Sequence, residues 1–406
     1  MKILFIHQNF PAQFRHLAPA LAARGDQVMA LTLRVDRPTL WQGVQILPYA
    51  LPGGRAQSCH PWVLDLDSQV TRAEACWRAA RTLRDQGYAP DVILAHPGWG
   101  ESLFLADLWP AARLLLYCEL YHRPEAPDPE DPATDPEAER LRLRLKNLHN
   151  LLQLPQARAG ISPTRFQADT FPPPFRARIS VIHDGIDTDA LCPDAGARLT
   201  LPSGLVLDRR DEVVSFANRR LEPCRGIGMF LKSLPELLRA RPRAQVVIAG
   251  RTEGAAYGPL PPGGTSWKDH YWPQIAPLLP PGAAARVHFP GPLERADFTA
   301  LLRISRAHVY LTRPFVLSWS LLEALSVAAP VIASDTAPLH EVLTPDTGRL
   351  VPWGDPAALA ATLAATLADP QRARAMGQAA RADIRARYDL TRLCLPAQLA
   401  WLDSTA

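Results

Sequence analysis

Two stretches in the second half of the chain hold residues whose types and spacing suit phosphate chemistry. The first is NRRLEPCRG, Asn218 to Gly226. Val213 to Ala217 just ahead of it reads as a strand, so Arg220 and Arg225 flank a short loop at a strand's carboxyl end. Two guanidinium forks placed there can bind one diphosphate through several charge-assisted hydrogen bonds. A solvated, charged turn would account for the same two arginines.

The second stretch is HVYLTRPFVLSWSLLEALSVAAPVIASDTAPLHEV, His308 to Val342. His308 to Leu311 is β-prone, Thr312 to Trp319 carries the breaker Pro314, Ser320 to Ala328 has helical apolar spacing, and Pro330 opens a second buried strand. A helix start presents unpaired N–H groups and the positive end of the helix dipole. The backbone from Leu317 to Leu321 could therefore hold a phosphate, with the Ser318 and Ser320 hydroxyls adding to it. Glu323 is expected on the first turn, within reach of a ribose hydroxyl beside that phosphate. Ser320 and Glu323 also fit a capping box, the commoner meaning of S-x-x-E.

Positioning these groups needs a sheet. The first half offers strand-like runs at Lys2 to His7, Gln27 to Thr32, Val44 to Leu47, Asp91 to Ala95, Arg113 to Tyr117, Ala157 to Ile161 and Ile179 to His183, with a helix over Phe14 to Ala23. The second half restarts the pattern with Val213 to Ala217, a helix over Ile227 to Arg239, and strands at Gln245 to Ala249 and Arg286 to Phe289. Strands alternating with helices predict doubly wound parallel sheets, whose ligands bind at the carboxyl ends of strands. Three N-terminal loops then matter: HQNFPAQ (His7 to Gln13), HPGWGE (His96 to Glu101) and CELYHR (Cys118 to Arg123). Any one of their residues, His96 for instance, suits a hydrogen-bonded loop role as well as a site role; three such loops on one rim favour a site. Pro124 to Glu137, acidic and proline-rich, reads as an exposed loop. Leucines recurring from Leu141 to Leu154 predict a helix, and the Asp-, Gly- and Pro-rich run from His183 to Asp211 reads as the interdomain connection.

With 406 residues the chain can form two domains, each with its own core. A net charge of +4, carried by scattered arginines, argues against a dedicated nucleic-acid protein. Six widely spaced cysteines without a C-x-x-C suit reduced thiols rather than a disulfide framework or a zinc site. No run has the length and apolarity of a membrane span and no signal-peptide core precedes the first strand, so the reading is a cytoplasmic protein. Peripheral contact with the inner membrane face stays open, because the arginines of Arg72 to Arg84 suit a basic surface and a solvated helix face equally.

Taken together, the two motifs resemble those of retaining glycosyltransferases of family 4, which have the GT-B fold. That family's usual loop is G-R-L-x-x-x-K-G; Arg220, Leu221, Arg225 and Gly226 match its arginine, leucine, lysine and final glycine. Glu323-Ala324-Leu325 followed by PVIASD resembles the second half of the family's E-x7-E motif, and Ile179 to Asp194 resembles its interdomain segment. HQNFPAQFRHLAPALAARG, HPGWGE and PFVLSWSLLEAL look like marks of a subgroup. There are departures: Phe315 stands where the first glutamate of E-x7-E would fall, Arg219 stands where the loop usually has glycine, the N-terminal loop lacks its glycine pair, and Cys118 or Glu119 replaces a common histidine.

The resemblance implies two Rossmann-like domains, 1–185 on the acceptor side and 186–389 for the nucleotide-sugar donor, with the active site in the cleft between them. It further implies a C-terminal helix, 390–406, crossing back to the first domain. The implied activity is transfer of a sugar from a nucleotide-diphosphate sugar, UDP- or GDP-linked, to an acceptor with retention of configuration. No metal or cofactor and no covalent enzyme nucleophile is implied. Arg220 and Arg225 would stabilise the departing diphosphate, Glu323 would hold the ribose, and the Leu293 backbone would lie near the base. His96 and Glu119 are the candidates for contact with the acceptor, which is a glycan, lipid, metabolite or protein. A nucleotide-sugar epimerase or hydrolase and a non-catalytic nucleotide-sugar binder remain alternatives.

Overall fold

The computed structural model describes residues 1–53, 60 to 123 with Cys59, 135–254, Gly258, 260–264 and 266–405. The stretch 124–134 of the acidic loop lies outside the described residues. The chain divides into two compact units, Met1–Gly185 with Leu390–Ala406, and Ile186–Asp389.

The first unit is built on an eight-stranded sheet. Its strands are β1 (Lys2–Ile6), β2 (Gln27–Thr32), β3 (Thr39–Trp41), β4 (Val44–Pro48), β5 (Val92–Ala95), β6 (Arg113–Tyr117), β7 (Ala159–Ser162) and β8 (Ile179–Val181). Their order is β3-β4-β2-β1-β5-β6-β7-β8, all parallel except the β3–β4 pair. Alternate residues feed opposite faces. Leu4, Ile6, Ile93, Ala95, Leu114 and Leu116 enter one cluster, while Ile3, Phe5, Val92, Leu94, Leu115 and Tyr117 enter another. Burial on both faces is why these strands read as continuous apolar runs. Trp401 and Leu402, from the closing helix Leu395–Ser404, complete the second cluster, and Arg24 pairs with Asp403 at 2.9 Å.

The second unit holds a parallel six-stranded sheet of β11 (Val213–Arg220), β12 (Gln245–Arg251), β13 (Val287–Gly291), β14 (Ala307–Tyr310), β15 (Val331–Asp335) and β16 (Arg349–Pro352). Their order is β13-β12-β11-β14-β15-β16. A separate hairpin pairs β9 (Arg198–Thr200) with β10 (Val206–Asp208) inside the stretch expected to be a plain connection. Each of those strands buries a single residue, Leu199 or Leu207, too few for an alternating pattern to register. The short strands β3 and β16 were also not expected.

Three helical expectations are corrected. Phe14 to Ala23 is a tight turn (Ala12–Phe14) followed by a helix from Leu17 to Ala23. The Leu141 to Leu154 helix is two helices, Pro136–Lys146 and Leu148–Gln153. Asn147 sits at the break, exchanging hydrogen bonds with the His122 backbone, N–H to Oδ1 at 2.9 Å and Nδ2 to the carbonyl at 2.7 Å. The first of these helices starts at Pro136, capped by Asp135, so the expected loop ends earlier than Glu137. The helix expected at Ser320 to Ala328 spans Trp319–Ser326.

Candidate active site

In the second unit, β11 ends in the loop that carries both arginines. Gly226 closes it with φ 72°, and a Cβ there would lie 2.5 Å from the Leu311 Cβ, so the loop packs onto the end of β14 only because this residue has no side chain. The helix Ile227–Ala240 starts immediately afterwards. Arg225 is buried, 7% exposed. Its Nη1 donates to Thr312 Oγ1 at 3.1 Å and to the Val316 carbonyl at 3.5 Å, and its guanidinium carbon lies 5.5 Å from the centre of the Phe315 ring. Phe315, standing where the family pattern has a carboxylate, thus offers Arg225 an aromatic ring instead. Arg220 is half-buried, and its Nη1 donates to the Glu253 carbonyl in the loop after β12.

The loop after β14 leads into the Trp319–Ser326 helix. Ser318, not Ser320, is its N-cap, and no side chain caps it. The Ser318 N–H donates to the Tyr310 hydroxyl at 3.0 Å, and Ser318 Oγ shares a 2.5 Å hydrogen bond with Ser320 Oγ. The capping box is therefore absent. Leu321 N–H is taken by the Ser318 carbonyl at 3.2 Å, so the expected row of open N–H groups is interrupted; those of Leu317 and Ser320 take no partner among the described residues. The Leu317 side chain packs against the core.

Glu323 falls on the second turn, not the first, because the helix begins at Trp319. It is 4% exposed, and its Oε2 accepts from Arg295 Nη1 at 2.9 Å. Arg295 opens the Arg295–Ile304 helix after β13, two residues beyond Leu293, whose side chain packs against a core cluster. No motif or spacing in the sequence signals this pairing.

In the first unit, the loops after β1, β5 and β6 meet. Gln13 Nε2 donates to Glu119 Oε1 at 3.1 Å, and Glu119 Oε2 lies 3.3 Å from His96 Nε2. His96 Nδ1 accepts the Gly98 N–H at 3.2 Å, so its other nitrogen carries the proton and donates to Glu119. The His96 ring stacks with Trp99 at 6.0 Å and with Tyr117 at 5.7 Å, and His7 is edge-on at 5.1 Å. His96 is 3% exposed, while the Glu119 side chain is 33% exposed. Glu119 therefore presents the surface of this cluster and His96 supports it from below.

Burial raises the Glu119 carboxyl, but the hydrogen bonds from His96 and the Gln13 amide and the electrostatics of the adjacent His96 and His7 imidazoles outweigh it and hold the group below the usual carboxylate range. His7 is lowered to about 3, first by burial and then by His96, so it is neutral at pH 7. Of the two residues at the end of β6, Cys118 is fully buried in the core and Glu119 is at the rim. Glu101 does not line the rim: it is wholly buried, accepts the Tyr49 hydroxyl at 2.7 Å, and burial pushes its carboxyl up. His7 and Gln13 lie inside a polar loop that the sequence marked as a whole without singling them out.

Among the described residues no three His, Cys, Asp or Glu side chains gather as a metal site, and no helix is long and apolar enough to cross a membrane.

Residues 24–191 match the family described as "Glycosyl transferase family 4 group", and residues 206–383 match "Glycosyl transferases group 1". The chain is 26% identical over 205 residues to a D-inositol 3-phosphate glycosyltransferase of Segniliparus rotundus, covering 50% of this chain and 42% of that protein. It is 32% identical over 187 residues to a phosphatidyl-myo-inositol mannosyltransferase of Mycolicibacterium smegmatis, covering 45% and 42%. The match thus spans less than half the length of these curated relatives. Among solved structures, a sucrose-phosphate synthase from Thermosynechococcus elongatus superposes with a TM-score of 0.74 at 18% identity, covering 99% of this chain and 98% of the other. Anabaena HepE in complex with UDP superposes with a TM-score of 0.65 at 18% identity, covering 100% of both chains. These superpositions show the GT-B fold, and the two family models match successive parts of the chain.

Proposed function

We propose that this chain, with its GT-B fold and family 4 matches, transfers a sugar from a nucleotide-diphosphate sugar to a hydroxyl acceptor with retention of configuration. The observation that carries this reading is the buried Arg225 guanidinium at the carboxyl end of β11, against the loop that leads into the Glu323 helix. Ligands of doubly wound sheets bind at that end of the strands. As the nucleoside diphosphate leaves, negative charge builds on its phosphate oxygens. Arg225 and Arg220 balance it, together with the N-terminal ends of the helices that follow β11 and β14.

Glu323 takes ribose hydroxyls, and the backbone at Leu293 lies toward the base. No metal is needed, since guanidinium groups carry the opposing charge. Glu119 receives the acceptor hydroxyl, held by His96 and Gln13. Donors of the UDP-glucose or GDP-mannose kind fit the names of the relatives, which include GDP-mannose-dependent mannosyltransferases, and of HepE, solved with UDP-glucose. Polyol acceptors of the inositol type are the first to try, by the same names.

The test is to incubate the full chain with UDP-glucose and GDP-mannose, with and without inositol, inositol phosphate and phosphatidylinositol, and to follow product by mass spectrometry and its anomeric configuration by NMR. An acceptor-dependent product with the donor's anomeric configuration, formed equally in EDTA, is expected. Donor binding without any product would favour a non-catalytic binder, the reading to which Phe315 lends support, because its ring cannot hydrogen-bond a sugar. Free sugar released without acceptor would favour a hydrolase.

A further inference from the structure

Glu323 is a carboxylate almost wholly withdrawn from water, and Arg295 is its one hydrogen-bonding side chain among the described residues. A buried carboxylate without a hydrogen-bonding partner is costly, so the one contact decides how the group is held. The Arg295 side chain is itself 54% exposed and lies 6.0 Å from the Phe298 ring of its own helix. Only Glu323 Oε2 is engaged; Oε1 accepts nothing from the described residues. One exposed cation thus fixes one oxygen of a buried carboxylate while leaving the other open as an acceptor.

We infer that Arg295 is a positioning residue for the nucleoside half of the site: it holds Glu323 turned so that its open oxygen receives the hydroxyls of a ribose. The inference rests on the nucleotide-sugar reading and adds to it a residue from a different element, the helix after β13. A vicinal diol is a pair of donors, and an ionised carboxylate, which only accepts, is its natural complement. Arg295 therefore acts on discrimination between ribose and sugars lacking those hydroxyls, not on diphosphate binding as such. A cation serving only to hold two helices together would affect both kinds of ligand alike.

The experiment is calorimetric titration of the full chain and its Arg295→Ala, Arg295→Lys, Glu323→Gln and Arg295→Ala/Glu323→Gln variants with UDP and GDP and with their 2′,3′-dideoxy counterparts. Melting curves check that each variant is folded. Arg295→Ala is expected to lose about tenfold in affinity for the ribose nucleotide and less than about twofold for the dideoxy form, equivalent to one charge-assisted contact. Arg295→Lys should recover part of the loss, and the double variant should bind no more weakly than Glu323→Gln alone. Equal weakening of both nucleotide forms, or of neither, overturns the inference. If the wild-type chain binds both forms equally, Glu323 holds no ribose and the inference falls while a nucleotide site stands. If it binds none of them, the inference and the nucleotide-sugar reading fall together.

Discussion

Replacing Arg225 with alanine separates two roles that the structure combines in one side chain. Without ligand, the guanidinium contributes a hydrogen bond to Thr312 Oγ1 at 3.1 Å, a longer one to the Val316 carbonyl and a contact with the Phe315 ring. A hydrogen bond from a charged donor contributes about 1.5–3 kcal/mol and a cation–π contact about 0.5–1 kcal/mol, offset by no longer burying a cation. Thr312 Oγ1 keeps its bond to the Arg313 carbonyl, so the variant leaves no orphaned hydroxyl. A net destabilisation of about 1–3 kcal/mol is expected, lowering the melting temperature by roughly 3–10 °C. With ligand, loss of a charge-assisted contact to the departing diphosphate removes about 2–4 kcal/mol of transition-state stabilisation, or ~30- to ~1,000-fold in kcat/KM. Melting curves with and without saturating nucleoside diphosphate read both effects in one series, because ligand binding raises the melting temperature of the folded chain. Arg225→Lys should fall between wild type and Arg225→Ala in both. If Arg225→Ala melts lower but gains as much from nucleotide as the wild type does, the guanidinium only props up the 312–316 loop and the diphosphate assignment is refuted.

Other outcomes follow from the same geometry. Glu119→Gln should lower kcat by about 10²- to 10⁴-fold if the carboxylate takes part in proton transfer from the acceptor, with nucleotide affinity by calorimetry unchanged; weaker nucleotide binding with intact turnover would contradict the assignment. Gly226→Ala forces a left-handed backbone on an L-residue and drives its Cβ into Leu311, costing about 2–5 kcal/mol; Gly204→Ala, with φ 85° and open space around it, should cost only about 1–2 kcal/mol, and equal melting temperatures would contradict the packing described. His7 is lowered to about 3 and His149, His183 and His308 to about 4, chiefly by burial. Their unfolded values lie near 6.5, so below that pH the unfolded chain binds more protons, and stability falls on acidification from about pH 6.5 toward pH 4. Each costs about 2 kcal/mol by pH 5, and a melting temperature flat between pH 7 and pH 5 would contradict their burial.

The parallel sheets were legible in the sequence because strands such as KILFI and RLLLY are buried on both faces and show as unbroken apolar runs. The loop after β11 was legible as a loop for a local reason: strand, arginines and glycine follow one another within a few residues. Features that depend on distant parts of the chain were not. Arg295 and Glu323 lie on separate helices, and no spacing rule joins them. Glu101 sits in a polar loop yet is buried against Tyr49, and Asn147 breaks a leucine-patterned helix because its amide serves the His122 backbone. The capping box failed for a related reason, since the Tyr310 hydroxyl, on the preceding strand, takes the Ser318 N–H and the helix starts one residue early.

The most direct test of the nucleotide-sugar assignment is calorimetric titration of the full chain with UDP-glucose and with GDP-mannose. Saturable binding of one donor at a single site, weakened at least ~30-fold by Arg225→Ala, is the predicted result. Absence of binding by either donor, or binding indifferent to Arg225, would contradict it.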